Sequence, residues 1–310
     1  MDSTRHQENT GAGNEEILRT FEHLRATNKP VIVRAPLVPG YNDSPEELAA
    51  RAVRGGIGQI ALCDHDTLEG IQPMKRAVAA RLLPGGERMR FFSSLELSTG
   101  DGSTHVLGHG ADAENAALCR TLEDIRLSRL TRMEEMLNRL EALDVRLPEE
   151  RRARLLVPGT GRAHLARELM GMGLVSTVAQ AFDRYLGKGK PGYVPRKCPT
   201  AQEGVALLKA AGATPVLAHP CRLGLETAAL YSFVLSLKEA GLAGLEAWHP
   251  SANRTQAMEL DRFARRNGLL VTGGSDFHGD ANTQVSLGHM PSGWNTCRED
   301  AQLLFDFINH

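Results

Sequence analysis

Paired cysteines, long apolar runs and an excess of one charge sign are all missing from this sequence of 310 residues. Its five cysteines are spread over residues 63–297 and form no CxxC or CxxxCxxC cluster. This spacing excludes a disulfide framework, a zinc knuckle and an iron–sulfur site. No apolar run reaches the ~18 residues that cross a bilayer, and the polar N-terminus lacks the apolar core of a signal peptide.

Positive and negative charges are nearly equal in number, with 36 Lys and Arg against 37 Asp and Glu. A net charge of -1 argues against a chain that coats nucleic acid or an anionic membrane, although a local basic cleft is compatible with it. The length suits one large or two ordinary domains with a substantial core. We therefore expect a soluble, cytoplasmic α/β protein without a membrane segment, and nothing in the sequence implies a stable protein partner.

Short apolar runs alternate with amphipathic segments along most of the chain. Most of the runs are continuously apolar, which is typical of parallel strands that are buried on both faces. Seven such strands, with helices between most of them, favour right-handed crossovers and a closed or nearly closed barrel. The strands are predicted at 31–37, 58–63, 90–97, 105–110, 214–220, 242–249 and 269–278, and the helices at 45–55, 70–81, 201–211, 228–239 and 252–266.

One connection between predicted strands is too long for a barrel loop. Residues 110–214 show helical patterns and no strand. Loops of such length without their own structure are uncommon in compact domains. We therefore predict an inserted all-helical subdomain over residues 113–197.

Imidazoles and carboxylates gather where the predicted strands end, and in a barrel such ends converge on one face. Histidine and carboxylate without thiolate are suited to Mn, Fe or Zn ions that promote hydrolysis. Taken singly, each residue has a structural alternative, such as a helix cap in the DHDT segment or an arginine partner for a buried glutamate. Taken together, five strands that end this way favour a metal site. The residues are Asp64, His65, Asp66, Glu96, His105, His219, Asp276 and His278.

Six segments, in order and spacing, resemble the PHP (polymerase and histidinol phosphatase) superfamily: CDHDTLEG, SSLELS, STHVLGHG, VLAHPCRLG, GLEAWHPS and TGGSDFHG. GRAHLAREL and AFDRYLGKGKPGYVPR extend the match and resemble the branch that dephosphorylates nucleoside 3′,5′-bisphosphates and trims short RNA from its 5′ end. The resemblance implies a distorted (β/α)7 PHP-type barrel with an inserted all-helical subdomain. The barrel would comprise residues 44–112 and 198–295, and a C-terminal helix would follow at 296–310.

The resemblance also implies roles for the matching residues. Glu96 would bridge metal ions, and His105 and His219 would hold one of them. A second ion would depend on His65 and His278, and a third on Asp276. The implied catalytic residues are Asp64, His65 and Asp276, and the implied phosphate ligands are Arg129, Arg132 and Arg162. The alternative for Arg129 and Arg132 is a solvated helix face, and His249 either lines the pocket or is structural.

The activity implied by the resemblance is that of a metal-dependent phosphoesterase. One to three divalent ions per chain, Mn²⁺ with Fe²⁺ or Zn²⁺ as alternatives, would activate a water. The substrate would be a nucleotide, in particular a nucleoside 3′,5′-bisphosphate, or a short 5′-phosphorylated RNA.

The first strand departs from the PHP pattern. The family carries an HxH pair there, whereas this chain reads Val33-Arg34-Ala35-Pro36-Leu37. Residues 5–48 instead resemble a late segment of glycyl-radical-activating enzymes of the radical-SAM class, without the cysteine motif that radical chemistry requires. We interpret residues 1–43 as a fused fragment that supplies strand one, and we expect Arg34 to occupy the vacated ligand position with its own charge.

The missing HxH pair leaves a second function open. A catalytically impaired PHP fold would bind metal or phosphorylated ligands without turnover. Amidohydrolase-type C–N hydrolysis is a weaker third interpretation, because such barrels carry their own first-strand HxH pair and a carboxylated lysine.

Overall fold

The computed structural model divides the chain into two compact units. The first contains Met1–Thr99, Ser103–Leu118 and Pro199–His310, and the second contains Gly100–Gly102 and Cys119–Cys198. The backbone alone is described for residues 32–34, and backbone and side chains are described for residues 44–54, 57–100, 103–157, 160–277 and 287.

A seven-stranded sheet forms the centre of the first unit and curls as a half-barrel. Its strands follow one another across the sheet in chain order. They are β1 (Ile32–Arg34), β2 (Gln59–His65), β3 (Arg90–Thr99), β4 (Thr104–His109), β5 (Thr214–Leu217), β6 (Gly244–Trp248) and β7 (Leu270–Gly273).

Helices occupy most of the strand connections and the whole of the long one. They are α1 (Pro45–Arg54), α2 (Ile71–Ala79), α3 (Ala116–Glu141), α4 (Glu149–Leu155), α5 (Arg162–Gly171), α6 (Val178–Ala181), α7 (Ala201–Ala210), α8 (Thr227–Glu239) and α9 (Arg254–Arg266). A π-helical turn (Phe182–Leu186) follows α6, and a 3-10 turn (Pro220–Leu223) follows β5. No helix of the described residues is both long and apolar enough to cross a bilayer.

The second strand shows why the apolar runs are continuous. Ile60 and Leu62 pack into a cluster with residues of α1 and α2, whereas Ala61 and Cys63 pack with β3, β4 and β5 residues in a separate cluster. Successive side chains of a strand point to opposite faces, so a strand covered on both faces needs apolar residues at every position.

The second unit has its own helical core. Met136, Leu137 and Leu140 of α3 pack with Leu165 and Leu169 of α5 and with other apolar residues up to Val194. These residues recur at helical spacing, and their burial stabilises helices that would be only marginally stable alone in water.

The predicted parallel sheet needs one correction. β4 is antiparallel to both β3 and β5, because only residues 100–103 separate β3 from β4. A parallel connection needs a crossover of a dozen or more residues, so this short link imposes the antiparallel arrangement.

Two of the predicted strands end several residues earlier than expected. β5 stops at Leu217, where the chain turns into the 3-10 segment, and β7 stops at Gly273. Of the predicted first strand, only residues 32–34 are described, and β1 pairs in parallel with β2. His278, most of residues 1–43 and the predicted C-terminal helix at 296–310 lie outside the described residues.

Gly204→Ala should destabilise the first unit. A Cβ at this position of α7 would lie 2.6 Å from the Thr99 Cγ2 atom, and Thr99 is fully buried. Overpacking costs about 1–3 kcal/mol, which exceeds the roughly 1 kcal/mol that alanine adds to helix propensity. We expect a lower midpoint in urea unfolding. Gly171→Ala at the end of α5, where the nearest atom is the mobile end of the Arg151 side chain, is the control and should not lower the midpoint. An unchanged midpoint for Gly204→Ala would show that the α7 contact on β3 is not tight.

Candidate metal centre

A buried carboxylate lies beside two imidazoles at one end of the sheet. Glu96 of β3 is 1 % exposed. His105 of β4 places its Nδ1 atom 2.7 Å from Glu96 Oε1, and His219, which follows β5, places its Nε2 atom 2.9 Å from the same oxygen. The two nitrogens are 3.2 Å apart. Because β3, β4 and β5 are neighbours in the sheet, residues far apart in sequence meet here.

Protons alone do not satisfy these three atoms when Glu96 is an ionised carboxylate. If both nitrogens donate to the Glu96 oxygen, two N–H groups face each other at 3.2 Å. If one nitrogen is unprotonated, its lone pair faces the carboxylate at hydrogen-bond distance. A cation removes the conflict, since all three atoms then act as ligands. The Nδ1 atom of His219 is also buried without a hydrogen-bond partner in the described part of the chain. The donor set therefore fits a divalent metal ion.

His65 adds a fourth donor from the neighbouring strand. It lies directly opposite Glu96 in the β2–β3 register, and its Nε2 atom is 3.8 Å from Glu96 Oε2. Ligand atoms of His65, Glu96 and His105 all lie within 4.8 Å of one another. One third of the His65 side chain is exposed, so the group is open to a substrate on this side.

The DHDT segment is held by β3 and does not cap a helix. Asp66 is buried, and its two carboxylate oxygens accept hydrogen bonds from the Ser98 backbone N–H at 2.6 Å and the Ser98 hydroxyl at 2.8 Å. The N-cap of α2 is Gly70, which has no side-chain cap. Asp66 therefore positions the turn that carries His65. Asp64 is buried at the end of β2.

Glu246 is a contributor that the sequence did not reveal. It is 1 % exposed on β6, and its Oε2 atom accepts a hydrogen bond from the His219 backbone N–H at 2.8 Å. This bond holds His219 in an unusual conformation, with a φ of 29°. The sequence signal for Glu246 is a carboxylate within an otherwise apolar strand, because a buried carboxylate requires a hydrogen-bond donor or an opposite charge.

Asp276 lies beside residues from two other strand ends. It is buried after β7, and its Oδ2 atom is 3.4 Å from His249 Nε2 and 3.3 Å from the Arg222 guanidinium. The ring of His249 lies 5.4 Å from that of His219, centroid to centroid. His249 is buried next to the centre, and whether it lines the pocket or is structural stays a prediction. Arg222 was not among the predicted site residues.

Backbone strain is concentrated at this centre. Among the described residues other than glycine, positive φ angles occur at Asp66, His219, Asp276 and Asp144, and the first three belong to the centre. Each such backbone conformation costs of the order of 1–3 kcal/mol, and it persists only where the surrounding contacts hold the residue in place.

The predicted phosphate ligands lie in the second unit. Arg129, Arg132 and Arg162 are half-buried, and the phosphate-binding role of Arg129 and Arg132, with a solvated helix face as its alternative, stays a prediction. The Nε group of Arg132 donates to the Val194 carbonyl oxygen at 2.7 Å. Burial, together with the Arg162 and Arg196 guanidiniums, lowers the pKa of Arg132 to about 10.

Arg162 is held between aromatic rings. Its guanidinium carbon lies 5.5 Å from the centroid of Phe182 and 5.4 Å from that of Tyr193. Arg132, Arg162 and Arg196 therefore form a cluster of like charge, the arginine cluster, and with a pKa of about 10 Arg132 stays protonated at neutral pH. Clustered guanidiniums favour a bound phosphate, which offsets their mutual repulsion.

Comparison with known proteins assigns the family. The chain is 30 % identical over 250 residues to a 3′,5′-nucleoside bisphosphate phosphatase of Chromobacterium violaceum, an alignment that covers 79 % of this chain and 86 % of the relative. The chain belongs to the PHP family of metal-dependent phosphoesterases. A second PHP relative, the 5′-3′ exoribonuclease Rnm of Escherichia coli, is 30 % identical over 76 % of this chain and 80 % of its own length. No protein-family model matches the chain.

Solved structures agree with the PHP assignment. A Chromobacterium violaceum protein described as an amidohydrolase, with bound sulfate and no metal, superposes with a TM-score of 0.74 at 28 % identity and covers 89 % of this chain and 96 % of that one. A Bifidobacterium adolescentis protein described as a metal-dependent phosphoesterase superposes with a TM-score of 0.70 at 26 % identity, over 89 % of this chain and 95 % of that one.

A short second similarity is to a different protein family. The chain is 43 % identical over 54 residues to the isethionate sulfite-lyase activating enzyme of Nitratidesulfovibrio vulgaris, which is 17 % of this chain and 18 % of that enzyme. The resemblance of part of this chain to an activating enzyme is thereby confirmed, and the match covers only a fragment of that enzyme.

Glu96→Gln should remove metal binding with little effect on the fold. The substitution keeps the shape of the side chain and removes the charge that two imidazoles face. We expect Mn²⁺ affinity, measured by isothermal titration of metal-free protein, to fall at least about 100-fold. Glu239→Gln, at the exposed end of α8, is the control. Equal affinity in both variants would contradict a centre built on Glu96.

Proposed function

We propose that this PHP phosphoesterase hydrolyses phosphate from nucleoside 3′,5′-bisphosphates or from short 5′-phosphorylated oligonucleotides. The observation that carries the proposal is the convergence of Glu96, His105 and His219 on one point at the strand ends. The relatives that bear the names bisphosphate phosphatase and exoribonuclease support the choice of substrate. Nothing in the comparisons supports the alternative of a fold that binds its ligand without turnover.

We assign metal binding to the strand-end residues. Glu96, His105 and His219 would hold the principal ion, and His65 is close enough to share it or to hold a second with His278. We propose Mn²⁺, with Fe²⁺ and Zn²⁺ as alternatives, and one to three ions per chain. Bound divalent ions supply Lewis acidity toward phosphate oxygens and water.

The chain's own residues orient the reaction. The open side at His65 admits the phosphate, while Asp66 and Glu246 fix the two segments that carry His65 and His219. We propose that Asp64, His65 and Asp276 are the catalytic residues, as the family resemblance implies. Each follows or ends a strand, so the sheet holds it in a defined place.

We propose that the arginine cluster, with Arg129 one helical turn before Arg132, binds a phosphate group of the substrate. Guanidiniums offer paired N–H donors to phosphate oxygens. A nucleoside bisphosphate carries two phosphates, and an oligonucleotide carries several.

We propose that the half-barrel belongs to a distorted (β/α)7 barrel comprising residues 44–112 and 198–295. The helical insert would span residues 113–197, the fused segment 1–43 would supply strand one, and residues 296–310 would form a C-terminal helix. The parallel pairing of β1 with β2 supports the place of strand one. Nucleotides and short RNA are cytoplasmic molecules, and we place the enzyme there.

Release of inorganic phosphate from adenosine 3′,5′-bisphosphate in the presence of Mn²⁺ tests this function. We expect turnover by the full chain and a loss of at least about 100-fold in Glu96→Ala. The exposed variant Glu239→Gln should retain turnover. Well-folded protein that binds Mn²⁺ and releases no phosphate from the bisphosphate or from a 5′-phosphorylated RNA trimer would contradict the proposal.

Arg132→Met should weaken substrate recognition. Loss of charge-assisted hydrogen bonds to phosphate costs about 1.5–3 kcal/mol, which lowers kcat/KM roughly 10–100-fold. The effect should be mainly on KM if the phosphate concerned does not react. Arg120→Met, at an exposed position of the same helix, is the matched control. Equal kcat/KM in the two variants would show that the arginine cluster does not bind the substrate.

A further inference from the structure

The Asp276 side of the centre differs chemically from the Glu96 side. The facing atoms at Glu96 are imidazole nitrogens that are suited to ligation. At Asp276, the Oδ2 atom is faced by a guanidinium at 3.3 Å and an imidazole nitrogen at 3.4 Å. A guanidinium has only N–H donors and is always charged, so it never acts as a metal ligand.

The tautomer of His249 follows from its other hydrogen bonds. The Ser251 backbone N–H donates to His249 Nδ1 at 3.0 Å. Because a backbone N–H only donates, Nδ1 carries the lone pair, and the proton of the neutral ring is on Nε2. The nitrogen that faces Asp276 therefore carries the proton and is not available for a metal ion; it makes no hydrogen bond among the described residues, so its effect on Asp276 at 3.4 Å is electrostatic.

Arg222 lies in the same short segment as His219, and this segment places the Arg222 side chain beside Asp276. His219 immediately precedes the 3-10 turn Pro220–Leu223, and Arg222 lies within this turn. The Arg222 backbone N–H donates to the His219 carbonyl oxygen at 2.9 Å. The Arg222 side chain is 52 % exposed, whereas Asp276 is 4 % exposed. One short segment thus places a metal ligand on Glu96 and a positive charge on Asp276.

We propose that Arg222 and His249 compensate the Asp276 carboxylate in this chain in place of a metal ion. This inference rests on the metal centre of the proposed function, and it concerns which of the strand-end residues hold the metal. The family's first-strand HxH pair is replaced here by Arg34 and Pro36, so an ion at Asp276 would lack those two histidines and would face a guanidinium. The metal of this chain is therefore held on the Glu96 side, and Arg222 supplies positive charge at Asp276.

The number of bound Mn²⁺ ions in the Asp276→Asn variant tests the inference. We expect the full chain, loaded with Mn²⁺ and dialysed, to contain the same number of ions per chain in Asp276→Asn as in the wild type, measured by plasma mass spectrometry. The Mn²⁺ electron paramagnetic resonance spectrum should also be unchanged. His249→Gln should likewise keep the wild-type number, because His249 is assigned as a donor.

Loss of one Mn²⁺ per chain in Asp276→Asn, or in His249→Gln, would overturn this inference and leave the proposed function standing. Absence of Mn²⁺ from the wild type would instead overturn the metal centre itself, and this inference with it. Glu96→Gln provides the reference for loss from the Glu96 side.

A thermal double-mutant cycle on metal-free protein tests the ion pair separately. Arg222→Gln should lower the Tm by roughly 2–4 °C in the wild-type background and have little further effect in the Asp276→Asn background. Arg222→Lys should restore part of the Tm. Arg266→Gln, at an exposed position of α9, is the control. Equal Tm losses for Arg222→Gln in the two backgrounds would show that the pair does not compensate Asp276.

Discussion

A carboxylate that is 1 % exposed requires nearby positive charge or N–H donors, and at Glu96 this requirement organises the ends of several strands. β4 runs antiparallel to β3 and so returns His105 to Glu96. The turn after β5 adopts a strained conformation that Glu246 holds, and it brings His219 to the same oxygen. The turn after β2 is anchored on β3 by Asp66 and presents His65. Each of these features, taken alone, raises the free energy of the folded state. Each is consistent with a cation that Glu96 and the histidines share.

The sequence is sufficient for much of the fold and for the residues that meet at Glu96. Continuously apolar runs identify strands that are buried on both faces, as the two-sided packing of β2 shows, and polar residues at strand ends identify Glu96, His105 and His219. The antiparallel direction of β4 was not predicted, because its cause is the length of one short link and not a hydrophobic pattern.

The Asp276 side of the centre could not be predicted in the same way. The contacts of Asp276 with Arg222 and His249 join residues that lie 54 and 27 positions away along the chain, and their meeting depends on the tertiary fold. The same holds for Glu246 and His219. The first strand illustrates a further difference between packing and chemistry: Ile32–Arg34 pairs with β2, since pairing requires only backbone groups, but this stretch of sequence carries no HxH pair.

Diffraction from crystals of the full chain soaked in Mn²⁺, collected at the manganese absorption edge, tests the central claim most directly. The account predicts an anomalous peak that is coordinated by Glu96, His105 and His219. An ordered centre in which these three side chains contact no manganese, while manganese binds elsewhere on the chain, would contradict it.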